Sequence, residues 1–138
     1  MEYTFLDYFN EVLSIRLKEI DILIKCNETI SIGKVSELLD ISEREIMKIS
    51  APEDDFIEAK EILHIMEEGS SEICLMYQRE IECNSPYIYS AEEIAYIYGF
   101  DLPKVKEAME KNDIKAVTWQ VLPFVFSLIP YNQNAMKK

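Results

Sequence analysis

Two stretches of this chain, 59 residues apart, repeat one pattern of residue types, and nothing else in the sequence limits the fold so tightly. Residues 32–50 run Val35-Ser36, then Leu39-Asp40-Ile41, then Ile46 and Ile49, and residues 91–109 run Ile94-Ala95, then Tyr98-Gly99-Phe100, then Val105 and Ala108. Apolar positions recur at threes and fours on both sides of a three-residue break, which predicts two short helices joined by a turn in each stretch. Two helices that cross steeply through so short a turn need a small residue where they touch, here Ser36 and Ala95. They also need a turn residue that tolerates positive φ, here Gly99, with Asp40 as the weaker substitute. Ser42 with Glu45 and Ser90 with Glu93 read as capping signals. The flanks extend the repeat: Glu11 to Ile15 ahead of Cys26-Asn27 parallels Glu61 to Ile65 ahead of Cys83-Asn84.

The rest of the chain agrees with a mainly α fold. Only 3 Gly and 5 Pro punctuate 138 residues, fewer than strand-and-turn architectures use. Residues 5–25 have helical spacing with a cap at Thr4 and Asp7. A helix is expected from Pro52 to Gly69 and another over 71–82. The segment 114–129 fits either a helix or two short strands around Pro123, so a short β element in the C-terminal segment stays open. The expected organisation is 1–69, an N-terminal helix with the first unit, and 70–138, the second unit with an apolar C-terminal segment.

The duplicated pattern resembles the helix-turn-helix superfamily of tri-helical DNA-binding proteins, over about 20 residues in each copy. The resemblance implies that the second helix of a pair enters the major groove. Carried over, the candidate base-readers are Glu43, Arg44, Met47 and Lys48 in the first copy and Leu102, Lys104, Lys106 and Glu107 in the second. Lys104, Lys106, Lys111 and Lys115, with Lys137 and Lys138, form the one basic cluster and are the candidate phosphate contacts. Arg44 is the one arginine on either proposed reading helix and so the one bidentate partner for guanine. The plainer account has Arg44 paired with Glu43 and Glu45, and the lysines with Glu107 and Glu110, on solvated faces.

Charge argues the other way. The chain holds 26 acidic and 14 basic residues, a formal net charge of −12, with the acid concentrated between Glu53 and Glu82. Such a surface repels phosphate at long range, which excludes indiscriminate nucleic-acid coating and attachment to anionic membranes. Two partners therefore remain: double-stranded DNA, bound by a small regulator, or a regulatory protein bound through acidic and aromatic surfaces. A homodimer is expected, with Trp119, Phe124 and Phe126 in the uncharged stretch 116–136 as an oligomer or partner interface. Tyr77, Tyr87, Tyr89, Tyr96 and Tyr98 read as half-buried core.

Three cysteines without a C-x-x-C pair suit a reducing compartment, and the first residues lack the pattern of a signal peptide, so a cytoplasmic location is expected. The apolar run Val117 to Ile129 is too short to span a bilayer. Enzyme chemistry is not expected. His64 is the one histidine, the glycines are isolated, and no metal-ligand spacing occurs, so neither a cofactor nor a metal is assigned.

Overall fold

The structure, a computed structural model, describes residues 2–52 and 54–131 and is mainly α-helical. The elements in order are α1 (Phe5–Tyr8), a π-helical segment (Phe9–Leu13), α2 (Ser14–Lys25), β1 (Thr29–Ser31), α3 (Ile32–Leu39), α4 (Glu43–Ser50), β2 (Phe56–Glu58), α5 (Glu61–Glu68), α6 (Glu72–Glu82), α7 (Ala91–Tyr98), α8 (Leu102–Lys111) and α9 (Leu122–Ser127). Both helix pairs, 32–39 with 43–50 and 91–98 with 102–111, fall where the repeated pattern places them.

The chain divides into two compact units, one of residues 13–78 and one in which 2–12 join 79–131. This differs from the expected division at residue 69. The physical reason lies in the apolar side chains of the first twelve residues. Phe5 is wholly buried, with its ring 4.8 Å from those of both Phe100 and Phe126. Its amide donates to the Ile129 carbonyl at 2.8 Å, and the Tyr131 amide donates to the Tyr3 carbonyl at 2.9 Å.

In the unit of residues 13–78, α2, α3, α4 and α5 enclose Ile20, Val35, Leu39, Ile46, Ile62 and Ile65. β1 and β2 form a short antiparallel ladder with Ile30 opposite Ile57, both buried, while the residues on either side of each point outward. This corrects the helix expected from Pro52. Burial of Ile57 against Ile30 holds 56–58 extended, and the helix starts only at Glu61. Asp40 takes the left-handed conformation that the turn demands (φ 55°, ψ 46°), and the Ser36 hydroxyl donates to the Ile41 carbonyl at 2.6 Å across it.

The other unit repeats that order of elements. The end of α6, from residue 79, is followed by residue 89 in a single antiparallel bridge to Val117, by the pair α7 and α8 between them, and then by α9. Tyr89 stands 59 residues after Ile30, as the repeat requires, and both open a helix capped by the next residue, Ser31 or Ser90. Ser90 and Glu93 form a reciprocal capping box, and Gly99 occupies the left-handed turn position (φ 74°). Ala95 is buried where the two helices meet. The flanking parallel is partly corrected. Cys26-Asn27 and Cys83-Asn84 do close equivalent helices, with both asparagines at positive φ, but the partner of α6 is α2, and 61–65 belong to α5.

The segment 114–129 resolves into the bridge at Val117 and helix α9, with Pro123 in its first turn, where a missing N–H costs nothing. Among the tyrosines, Tyr89 and Tyr98 are buried and Tyr77 half-buried, whereas Tyr87 and Tyr96 are exposed. Among the described residues, no helix is long and apolar enough to cross a membrane.

Candidate nucleic-acid interface

The second helix of each pair carries the candidate readers. On α4 the buried side is Ile46, whose side chain is fully enclosed, and the outward side carries Arg44, Met47 and Lys48. Spacings of three and four place those three side chains on one stripe of an α-helix. Met47 is 52% exposed, high for an apolar side chain beside two cations.

Arg44 does not pair with Glu45. The Glu45 carboxylate instead accepts from the backbone amide and the hydroxyl of Ser70, both at 2.8 Å. Among the described residues, neither Arg44 nor Lys48 takes part in an ion pair. The stripe therefore carries two cations without an ion pair among the described residues.

The lysines of the other unit are arranged differently. Lys106 pairs with Glu92 of α7 at 3.6 Å, Lys111 with Glu107 one turn earlier at 2.6 Å, and Lys115 with Asp113 at 4.0 Å. The hydrogen bond from Lys111 holds the Glu107 carboxyl below its ordinary range and raises the Lys111 ammonium, and Lys104 adds to the first effect. Lys104 itself makes no ion pair among the described residues. At 100° per residue, Lys104 and Lys111 share a side of α8, whereas Lys106 lies about 200° from Lys104. The four lysines thus do not form one surface. Lys137 and Lys138 lie outside the described residues.

The two copies also place different chemistry at equivalent positions. Fifty-nine residues after Arg44, Met47 and Lys48 stand Pro103, Lys106 and Glu107. The cationic stripe of α4 has no counterpart on α8.

The aromatic candidates separate as well. Trp119 is 66% exposed and Phe124 is 48% exposed. Phe126 is not an interface residue within this unit's surface, because it is 2% exposed and its ring lies 4.8 Å from that of Tyr98 and 5.3 Å from that of Phe9. One turn of helix decides the difference, since Val125 and Phe126 face the core and Phe124 does not. Tyr87, expected as half-buried core, and Ile88, which the sequence pattern did not single out, are both exposed and precede the bridge at Tyr89. The roles of Glu45 and Ile129 were equally hidden, although the 59-residue offset, which aligns Glu45 with Lys104 and Ser70 with Ile129, carries the signal for both.

His64 is exposed on α5. Among the described residues, no group of three or more His, Cys, Asp or Glu is placed to hold a metal ion. No known protein family, curated protein or solved structure matches the chain.

Proposed function

We propose that this chain is a small helix-turn-helix regulator that binds double-stranded DNA through the α4 stripe. One observation carries the reading: Arg44, Met47 and Lys48 stand exposed on the second helix of a tightly turned pair, and neither cation makes an ion pair among the described residues. Arg44 supplies the bidentate contact to guanine, Met47 an apolar contact to a base edge, and Lys48 a phosphate contact. Lys104, and Lys106, Lys111 and Lys115 once their surface ion pairs exchange carboxylate for phosphate, are secondary phosphate contacts, an exchange that costs little at exposed sites. The chain acts without a cofactor, is not an enzyme, and works in the cytoplasm as a homodimer, since readers of two half-sites are commonly two-fold symmetric.

The test is selection from a pool of random duplexes at about 50 mM salt, where phosphate contacts are strong. The expected result is enrichment of a sequence whose preference relaxes at one base pair in Arg44→Ala, at a cost of about 1–3 kcal/mol. Lys48→Ala lowers the slope of affinity against salt by about one unit without changing the preference. Absence of enrichment at that salt refutes the reading.

A second reading rests on the exposed Trp119 and Phe124. Aromatic side chains left in water are the usual anchors of protein interfaces. On this reading the chain binds a regulatory protein, and Trp119→Ala abolishes capture of that partner while leaving duplex selection unchanged.

A further inference from the structure

The two units differ just beyond α5 and α9, where each copy meets the second helix of its pair. In the unit of residues 13–78, Glu45 on α4 is clasped by the amide and hydroxyl of Ser70, just beyond α5. At the equivalent positions of the other unit, Lys104 replaces Glu45 and Ile129 replaces Ser70. The carboxylate and the hydroxyl that make the clasp are both gone, and the Ile129 amide is turned to the Phe126 carbonyl at 3.3 Å. A crevice of about 360 Å³ lies open there between α8 and residues 128–130.

Its chemistry is specific. Ala108, Leu128, Ile129 and Pro130 form an apolar lining, and Lys104 and Lys111, one on each side of Ala108 along the same stripe of α8, bring two ammonium groups to it. Glu107 also borders the crevice, bound to Lys111 in an exposed pair and with its carboxyl acted on by Lys104 as well, so two ammonium groups face one carboxylate and the lining keeps one positive charge in excess. Asn112 at the far end has its amide nitrogen engaged with the Ala108 carbonyl at 2.8 Å. The volume lies within the range of small-molecule sites, about 300–1,000 Å³.

We infer that this crevice binds a small organic anion, a carboxylate carried on an apolar body. The carboxylate sits against Lys104, and the apolar body covers Ala108, Leu128 and Ile129. An inorganic anion would leave the apolar lining wet, and a neutral hydrocarbon would make no use of the excess positive charge at its edge. The inference does not depend on DNA binding.

Octanoate is the probe, titrated into the isotopically labelled full chain and followed by amide chemical shifts, with octylammonium and inorganic phosphate as controls. Saturable shifts confined to Ala108, Asn112, Leu128 and Ile129 are expected with octanoate alone. Lys104→Gln, an exposed position whose replacement leaves the fold intact, weakens binding about tenfold. Ala108→Phe, which fills the crevice, abolishes the shifts, and circular dichroism confirms that this variant is folded. Three results overturn the inference: no saturable shift with octanoate at about 10 mM, equal shifts with phosphate, which would mean a bare surface ion pair, or unchanged affinity in Lys104→Gln.

Discussion

Replacing Gly69 with alanine tests the packing of the 13–78 unit at a single atom. Gly69 closes α5 with φ −73° and ψ 160°, a conformation open to any residue, so alanine brings no torsional penalty there. Its new methyl group would lie 2.6 Å from Cys74 Sγ, 3.2 Å from Cys74 Cβ and 3.1 Å from the Ile65 carbonyl oxygen. Neither neighbour yields easily. Cys74 is fully buried on α6, and the Ile65 carbonyl accepts the Gly69 amide at 2.8 Å. Overpacking of this kind costs about 1–3 kcal/mol. Restricting the unfolded chain by replacing glycine offsets about 0.4–1 kcal/mol of that. A 2.6 Å approach to a fully buried neighbour places the overpacking cost in the upper part of its range, about 2–3 kcal/mol. The expected net loss is therefore about 1–2.5 kcal/mol, a fall of about 0.5–1 M in the urea midpoint followed by circular dichroism. Cys74→Ala alone costs about 1 kcal/mol through lost packing, yet the double variant removes the closest clash. The two losses should therefore fall short of additivity by about 1 kcal/mol. A neutral or stabilising Gly69→Ala, or two losses that simply add, would refute the account.

Ala95→Glu places a carboxylate at the buried contact of α7 with α8 and should cost about 3–5 kcal/mol, read as loss of cooperative unfolding. Burial, with Glu80 nearby, raises the Tyr89 and Tyr98 phenols, and a hydrogen bond to Glu11 lifts Tyr3 to about 12. These groups hold their protons more tightly folded than unfolded. Their stabilising effect is thus complete below the unfolded value of about 10 and declines as pH rises above it. Absorbance at 295 nm should show late tyrosines ionising together with unfolding, whereas a single step for all of them near pH 10 would contradict the burial. Trp119 is the one tryptophan, so its emission should be red-shifted and readily quenched at low concentration, then shift blue with rising concentration as dimers form. Emission independent of concentration, with a monomer in sedimentation, would exclude Trp119 from a dimer interface.

The helix pairs were legible because everything that makes them is local. Val35, Leu39 and Ile46, or Ile94, Tyr98 and Val105, fix the buried faces, while Asp40 and Gly99 fix the turns within a few residues. The ladder of Ile30 with Ile57 was not legible, since a three-residue strand offers one buried position and no alternation to detect. Nor was the company of Phe5. An apolar residue near the start of a helix announces that it will be buried, and nothing in its neighbourhood says that Phe100 and Phe126 will do so. The candidate surface was legible in residue type and spacing, as with Arg44, Met47 and Lys48. Pairing was not, because Glu45 finds its partner at Ser70, 25 residues away, rather than on its own helix.

The assembly of one unit from residues 2–12 and 79–131 sets an order of events during synthesis. Residues 13–78 make a compact unit from one continuous stretch, whose partners all follow one another closely out of the ribosome. Phe5 emerges earlier but finds its neighbours last, because Phe126 and the Ile129 carbonyl are made more than a hundred residues later. At the 5–20 residues per second typical of translation, its ring stays without those partners for about 6–25 s. An apolar ring left exposed for that time is an opening for a chaperone, or for the same segment of a neighbouring nascent chain.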